Sequence, residues 1–365
     1  MKAKSIFAAL LLVASSCSTT DSTADSADGA LPRVETPQYV TAAADSLWAR
    51  AEAEGLEIHS VMIVNDGKVI YQDWRNGGEA DKGHVLNSVS KTFTSLAVGM
   101  AIAEDKLSVD EKLVDIFPEY RPDTVSDNLA DIEVRDLLTM TCGHATDHTG
   151  EMRRMADTDS AFNWVRQFMA FPVEYRPGVI YCYNSVGTMM LSAIVQKRTG
   201  EKLIDYLNTR LFEPLGISGA HWDESESGIC YGGWGLYLKT EDLAKTGQLI
   251  LQNGRWNGRQ IVPGEWIAEM TRMQVESSPA GVNLVQLAQN SAYKPGPDWV
   301  QGYGYQMWMC RHNAFRADGA GGQYILVLPE LDSVVAMTAS LGDMQKELNL
   351  VWQYILPALK DYNNK

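Results

Sequence analysis

The hydrophobic pattern of residues 58–74 indicates two β-strands joined by a tight turn. Apolar side chains lie on both sides of Asn65-Asp66-Gly67, whose residues tolerate a positive φ angle. Residues 324–328 and 333–338 are also rich in apolar and β-branched side chains, and a segment that starts with Pro329 separates them. The pattern therefore predicts strands near both ends of the chain.

Between these strands the hydrophobic period changes to that of helices. After Ser88, apolar residues recur at a spacing that is typical of a helix with one buried face, at positions 89, 93, 96, 97, 100 and 101. This pattern predicts a helix over residues 88–104. Other helices are predicted over residues 134–140, 161–169, 186–199 and 203–211. Thr240, followed by two acidic residues, is typical of the N-cap of a helix that ends before Gly254.

The order of these elements predicts an α+β fold. A single antiparallel sheet, flanked by helices, would be formed from both ends of the chain, with a mostly helical domain inserted in its middle. We predict a discontinuous sheet domain of residues 37–95 and 231–365 and a helical insertion of residues 96–230. A cleft between two such domains is a common place for a substrate.

The N-terminal residues resemble a bacterial secretory signal. Lys2 and Lys4 precede an apolar run and then Ala-Ser-Ser-Cys, so residues 1–17 are predicted to be a signal. The small residues before Cys17 are similar to a lipobox, at which the cysteine is acylated; ordinary cleavage nearby is the alternative. Residues 18–36 are rich in Ser, Thr, Asp and Ala and are predicted to form a disordered tether. We therefore expect an exported, lipid-anchored protein of the periplasm or cell envelope.

The charge of the chain excludes several classes of partner. A net charge of −15 without a basic cluster argues against nucleic acid and against electrostatic binding to anionic lipid. Any membrane contact would then be made through the lipid anchor alone, and the oligomeric state is left open.

Cysteines and histidines suggest neither a fixed disulfide pattern nor a metal. If Cys17 is acylated, four cysteines remain, and these allow three pairings or none; they are Cys142, Cys182, Cys230 and Cys310. Cys142, His144 and His148 are the one tempting metal arrangement, but a zinc site needs more ligands in a defined geometry. We expect no metal and no cofactor.

The tetrad from Ser88 to Lys91 is the strongest chemical signal. Residues three apart on a helix share a face, so the Lys91 amine can lie beside the Ser88 hydroxyl, which needs a base to become a nucleophile. Ser291 and Lys294 have the same spacing, but Pro295 follows at once and excludes a continuing helix. Only the first copy has a helical scaffold.

Two later segments complete a recognisable set. Residues 181–185 precede an apolar helix, and residues 318–323 lead into the strand at Tyr324. In this order the three segments resemble the serine β-lactamase and penicillin-binding-protein superfamily, especially its class C-like esterases, D,D-peptidases and nylon-oligomer hydrolases. Residues 132–141, 211–217 and 327–331 are similar to further landmarks of that family.

The resemblance implies a role for each segment. Ser88 would be the acylated nucleophile, and Lys91 and Tyr183 would transfer protons, in an order that is left open. The backbone N–H groups of Ser88 and Gln323 would form an oxyanion hole. The remaining implied residues are predicted to contact substrate: Asn184, Ser185, Ala320, Gly321 and Gly322. Asn184 and Ser185 could equally serve to form a turn.

Two departures from the family pattern limit the prediction of a substrate. Ala320 stands where the family often has Lys or His to bind a substrate carboxylate, which argues against a carboxylate-dependent β-lactamase. The family often has Tyr-Ser-Asn in its second motif, whereas this chain has Tyr183 followed by Asn184 and Ser185. Tyr303, Tyr305 and Trp308 alternate along a predicted strand, either lining the cleft or packing in the core.

These expectations together predict an exported serine hydrolase. It would cleave an ester or amide of a small molecule or peptide through an acyl-enzyme on Ser88. The alternative is a non-hydrolytic ligand-binding or cell-wall-sensing envelope lipoprotein with the same fold.

Overall fold

A computed structural model describes residues 29–364. Its α-helices are α1 Gln38–Ala53, α2 Ser90–Ala103, α3 Leu113–Ile116, α4 Asp127–Asp131, α5 Val134–Leu138, α6 Thr149–Ala156, α7 Trp164–Ala170, α8 Ser185–Thr199, α9 Leu203–Leu207, α10 Thr240–Leu251, α11 Gly264–Thr271, α12 Leu284–Gln289, α13 Met344–Leu350 and α14 Leu356–Asn363. Its strands are β1 Ile58–Asn65, β2 Lys68–Trp74, β3 His84–Val85, β4 His221–Trp222, β5 Leu236–Leu238, β6 Arg255–Trp256, β7 Arg259–Gln260, β8 Trp308–Met309, β9 Phe315–Gly319, β10 Gln323–Leu328 and β11 Ser333–Ala339. Short 3₁₀ turns cover Asn87–Val89, Pro118–Tyr120, Pro297–Trp299 and Pro329–Leu331, and π-helical turns cover Asn208–Phe212 and Val351–Ile355.

The central sheet is antiparallel and is formed from both ends of the chain. Its six strands lie in the order β2-β1-β11-β10-β9-β8. The β1–β2 hairpin turns at Asp66 and Gly67, which have φ angles of 48° and 69°, as the turn residues predicted. The pairing of β1 with β11 joins the N-terminal and C-terminal strands. The predicted α+β fold is confirmed, while the boundaries assigned to two domains stay a prediction.

Helices cover both faces of this sheet. In β1, Val61 and Ile63 pack in one core with α1, α13 and α14, whereas Met62 and Val64 pack in the other core with α2 and α10. Successive side chains of a strand point to opposite faces, so both sets of residues can be apolar. The helices α1, α13 and α14 were not predicted from the hydrophobic pattern.

Helix α2, which follows the candidate nucleophile, is buried all round rather than on one face. Every residue from Ser90 to Ala101 is buried. The prediction of a single buried face was wrong because α2 passes between the sheet and the helices behind it. Two of its buried hydroxyls bond to backbone carbonyls of other elements: Thr92 Oγ1 donates to Gln306 O, and Thr94 Oγ1 donates to Gly232 O.

The predicted tether is wrong at its C-terminal end. Leu31 is buried, and its N–H donates to Glu241 Oε1 at 2.8 Å. Arg33 forms an ion pair with the same carboxylate at 2.6 Å and bridges to Val69. These contacts fix residues 31–33 on the folded body because one carboxylate of α10 holds both a backbone N–H and a guanidinium. The predicted signal and Cys17 lie outside the described residues.

The helix predicted from Thr240 onward begins there, but Thr240 is its first residue rather than its N-cap. Lys239 is the N-cap, and Asp242 Oδ2 accepts its N–H at 3.1 Å. None of the helices within residues 29–364 combines the length and apolar character needed to cross a lipid bilayer.

Candidate active site

The structure brings the side chains of Ser88 and Lys91 together. Ser88 lies in the 3₁₀ turn Asn87–Val89, just before α2 begins at Ser90, rather than in the α-helix itself. The distance from Lys91 Nζ to Ser88 Oγ is 2.9 Å. Ser88 is only half-buried, so a substrate can approach its hydroxyl while Lys91 stays behind it.

Lys91 is buried and has three polar neighbours. Besides Ser88, its Nζ lies 3.1 Å from Ser185 Oγ and 2.8 Å from the carbonyl oxygen of Gly233. Burial lowers the pKa of Lys91 to about 7, because the charged amine loses its hydration. The carboxylates of Asp147 and Asp318 oppose this shift and the guanidinium of Arg153 adds to it.

The three neighbours match the hydrogen-bonding capacity of an uncharged amine. Such an amine has two N–H donors and one lone pair. The Gly233 carbonyl can only accept, and Ser185 Oγ can accept the second N–H, so the lone pair is left for the Ser88 hydroxyl. The arrangement therefore suits a lysine that accepts a proton from Ser88.

Tyr183 lies on the other side of the nucleophile. Its ring centroid lies 4.8 Å from Lys91 Nζ, and its hydroxyl is close enough to the Ser88 side chain for Ser88 to act on the pKa of Tyr183. Burial raises the pKa of Tyr183 well above its ordinary value. The side chain is consequently a neutral phenol at neutral pH and a poor first base compared with Lys91.

An aromatic cluster holds the Tyr183 ring. Trp308 stacks on it with centroids 5.6 Å apart and an interplanar angle of 22°, and Tyr303 meets its edge at 6.4 Å. Tyr305 packs elsewhere, against Trp266 at 5.3 Å. The predicted strand through these three aromatics was wrong in extent, since β8 contains only Trp308 and Met309. Two of the aromatics therefore position the candidate catalytic phenol.

Asn184 does not face the cleft as predicted. It is fully buried and caps α8, where its Oδ1 accepts the N–H of Gly187 at 3.0 Å. Its Nδ2 donates to His144 Nδ1 at 3.1 Å and to Cys142 Sγ at 3.5 Å. Both polar atoms of its side chain are thus hydrogen-bonded inside the protein. Asn184 therefore has the turn-forming role that the sequence left open beside substrate contact. Ser185, by contrast, contacts Lys91.

The same contacts account for the tempting Cys142, His144 and His148 arrangement. The side-chain amide of Asn184 is hydrogen-bonded to Cys142 Sγ and His144 Nδ1. His148 Nδ1 lies 3.1 Å from the Glu151 carboxylate. Within residues 29–364, no three His, Cys, Asp or Glu side chains gather as metal ligands. All four cysteines in this part of the chain are free, buried thiols.

The third predicted segment is a hairpin rather than the start of a single strand. β9 ends at Gly319, residues 320–322 form the turn, and β10 begins at Gln323. A Cβ on Gly319 would lie 2.2 Å from Leu86 O, so glycine lets β9 approach the chain that leads to Ser88. The Asn87 side chain donates to Ala320 O at 2.6 Å and ties the turn to the nucleophile segment.

Gln323 and the two turn glycines lie farther along this hairpin. Gln323 pairs with Gly319, and its side chain bonds Ala339 through both its amide nitrogen and its oxygen. Gly321 and Gly322 have φ angles of 90° and 92°, which L-residues rarely adopt. A Cβ on Gly322 would collide with the Glu347 side chain. The close approach to the nucleophile is therefore made by Gly319 and Ala320.

The Gly233 carbonyl was missed in the sequence. It belongs to residues 231–235, in which three of five residues are glycine. A Cβ on Gly232 would lie 2.8 Å from Ser192 Cβ, and one on Gly233 would lie 2.6 Å from Ser185 O. This glycine density is the signal that could have indicated a backbone passing close to the site. Asp147 was also missed. It accepts the N–H of Ser185 at 3.3 Å, but no pattern in the sequence around it indicates this contact.

Substitution of Gly233 by alanine is expected to lower turnover roughly tenfold. The new methyl group would push against Ser185 O and move the Gly233 carbonyl from Lys91, and one lost hydrogen bond is worth about 1 kcal/mol or somewhat more. The measurement is kcat for a p-nitrophenyl ester. Gly83→Ala is the matched control, because a Cβ there meets only ordinary contacts at 3.6 Å. Equal rates in both variants would contradict a role for this carbonyl.

Comparison with known proteins shows the family and the fold of this chain. The family model described as Beta-lactamase matches residues 42–360. The chain is 23% identical to the 6-aminohexanoate-dimer hydrolase of Paenarthrobacter ureafaciens, over 77% of this chain and 72% of that protein. It is 24% identical to a beta-lactamase of Yersinia enterocolitica, over 74% and 70% of the two chains. The octameric penicillin-binding protein homologue of Pyrococcus abyssi superposes with a TM-score of 0.65 at 19% identity, over 87% of this chain and 77% of that one.

The fold and the Ser-Lys-Tyr cluster define a protein of the β-lactamase and penicillin-binding-protein superfamily. The chain belongs to the beta-lactamase family. Named relatives in this family are hydrolases, and a serine hydrolase activity is supported for this chain.

Proposed function

We propose that this protein is an exported serine hydrolase that forms an acyl-enzyme on Ser88 and cleaves an ester or amide bond. The single observation that supports this most is the cluster around Lys91, in which one buried, pKa-lowered amine contacts Ser88, Ser185 and Gly233. We also propose that Cys17 carries a lipid anchor that holds the enzyme at the cell envelope. The reaction requires no metal or cofactor.

In the first step, Lys91 takes the proton of Ser88 while Ser88 Oγ attacks the substrate carbonyl. Lys91 is the better first base because its pKa is about 7, whereas burial raises that of Tyr183. The Tyr183 hydroxyl donates to Ser88 Oγ and then passes a proton to the leaving group, and it is reprotonated from Lys91. Water afterwards attacks the acyl ester and regenerates the Ser88 hydroxyl.

The tetrahedral intermediate needs hydrogen-bond donors for its negative oxygen. The N–H of Ser88 is the first proposed donor. For the second we propose the N–H of Gln323, as the family resemblance implies. Gln323 lies opposite Gly319 in the hairpin, and Gly319 packs against the backbone of Leu86, which leads to Ser88.

The substrate is proposed to be a small ester or amide. The name of the Paenarthrobacter relative describes hydrolysis of a 6-aminohexanoate dimer, and that of the Yersinia relative describes a β-lactamase. Ala320 offers no charged side chain to the cleft, so we expect short esters to react better than a cephalosporin.

Covalent labelling followed by turnover tests this proposal. The wild-type protein is treated with a fluorophosphonate, and intact-mass and peptide mass spectrometry should locate a single adduct on Ser88. Unlabelled protein should release many equivalents of p-nitrophenol from p-nitrophenyl acetate. A folded protein that takes no label would refute the proposal. One equivalent of product without further release would favour the non-hydrolytic binding alternative.

A further inference from the structure

A stack of aromatic rings begins next to the Lys91 site. Trp234 follows Gly233, whose carbonyl contacts Lys91 Nζ. Its half-buried ring stacks on Tyr231 with centroids 4.7 Å apart and an interplanar angle of 21°. The buried Trp164 supports both rings from the side, at 5.5 and 6.0 Å. This packing fixes the orientation of Trp234 beside the site.

The guanidinium of Arg153 lies on the outer face of this stack. Arg153 belongs to α6, is exposed, and has its Cζ 4.4 Å from the Trp234 ring centroid. An arginine stacked on an aromatic face keeps its N–H groups at the edge of the guanidinium plane, where they can bind a carboxylate in bidentate geometry. Within residues 29–364, the Arg153 guanidinium stacks on Trp234 and has no carboxylate within ion-pair distance.

The surrounding charges leave Arg153 available to an external anion. Asp147 is engaged already, because its Oδ1 accepts from Thr149 N, Thr149 Oγ1 and Ser185 N. Three other carboxylates act on the pKa of Tyr231, as Arg153 does, but none of them forms an ion pair with Arg153: Glu226, Asp223 and Asp157. Because the whole chain carries a net charge of −15, an anionic ligand needs a local cation to approach the cleft.

Arg153 also lies within electrostatic reach of the reacting groups. Its positive charge disfavours the charged form of Lys91 and so adds to the lowering of the Lys91 pKa. The contacts also place Arg153 near Lys91. Arg153 stacks on Trp234, which follows Gly233, and the Gly233 carbonyl accepts from Lys91 Nζ.

We propose that Arg153, held on Trp234, is an anion subsite of the cleft that binds a carboxylate on the substrate. The inference rests on the proposed acyl-enzyme function and names its substrate class: esters or amides that carry a carboxylate some distance from the scissile bond. Ala320 argued against carboxylate recognition because it places no cation in the turn between β9 and β10. That argument applies only to this hairpin. Arg153 belongs to a different element, helix α6.

A matched pair of esters tests the subsite. The anionic ester is mono-p-nitrophenyl glutarate, and the neutral one is p-nitrophenyl butyrate. In Arg153→Gln, kcat/KM for the anionic ester should fall roughly 10- to 100-fold, mainly through KM, as expected for a charge-assisted hydrogen-bonded pair. Because a change in the Lys91 pKa affects both esters alike, the readout is the ratio of the two kcat/KM values, which should fall in favour of the neutral ester by the same factor. Arg153→Lys should recover part of the preference.

Arg154→Gln is the matched control. It removes the same charge from the next position of α6, so it reports any long-range effect of net charge. Equal losses for both esters in Arg153→Gln, or the same selectivity change in Arg154→Gln, would overturn the subsite. Hydrolysis of butyrate without any preference for glutarate would overturn the subsite and leave the proposed function intact.

A binding measurement keeps the test independent of turnover. Glutarate alone should raise the melting temperature of the wild-type protein and of Arg154→Gln, but not that of Arg153→Gln. If neither ester is hydrolysed, the proposed function fails, and the glutarate result still decides the subsite. The absence of any shift in the wild-type protein would count against it.

Discussion

Replacement of Ser88 by alanine is expected to abolish covalent labelling and to lower kcat by roughly 10⁴- to 10⁶-fold, the range seen when a catalytic serine is removed. The Ser88 hydroxyl lies 2.9 Å from Lys91 Nζ and is half-buried, whereas Ser185 Oγ, the other hydroxyl beside Lys91, is buried, so Ser88 is the expected site of acylation. Loss of one small, half-buried hydroxyl is expected to leave the fold unchanged, which circular dichroism can check. The measurements are intact mass after fluorophosphonate treatment and the rate of p-nitrophenyl acetate hydrolysis.

The chain contains its own control for this experiment. Ser291 and Lys294 repeat the same spacing, but Ser291 is exposed and lies in a turn before Pro295. Ser291→Ala should therefore label and hydrolyse as the wild type does. If Ser88→Ala still takes the label, or Ser291→Ala loses it, the assignment of the nucleophile is wrong.

Much of the fold could be predicted because its local signals are strong. The hairpin turn at Asp66 and Gly67 and the β10–β11 pair follow from short-range sequence. Helix α1 was missed because it lies next to a polar N-terminal segment that dominated the composition of that region. β9 was missed because Arg316 and Asp318 interrupt its apolar pattern, and the structure buries these two residues as an ion pair at 2.7 Å.

Residue spacing alone could predict the site only where two of its groups lie close together in the sequence. Ser88 and Lys91 are three residues apart, and the geometry brings them together as expected. The role of Gly233 is harder to predict because its contribution is a backbone carbonyl, which any residue type possesses; the glycine density of residues 231–235 indicates only a close approach of the backbone. Asn184 was assigned to the cleft because the resemblance orders residues along the chain, whereas the direction of its side chain depends on His144 and Cys142.

Replacement of Lys91 by methionine is expected to lower kcat/KM by roughly 10²- to 10⁴-fold, the usual contribution of a general base. Methionine fills most of the buried volume without the amine, so the variant should fold and be checked by circular dichroism. Lys91→Arg should be similarly inactive, because a guanidinium stays protonated and has no lone pair to accept the Ser88 proton. Substantial activity in either variant would contradict the assigned base.

The pH dependence of the wild-type enzyme tests the same base without a mutation. Burial lowers the pKa of Lys91 to about 7, and the uncharged amine is the active form. As the pH falls below about 7, kcat/KM for a neutral ester should decrease about tenfold per pH unit, and above that value it should level off. A lysine in water, with a pKa of about 10.4, would instead give rates that rise up to that pH. A profile of the second kind would show that the amine is charged at neutral pH and that Tyr183 or another group takes the first proton.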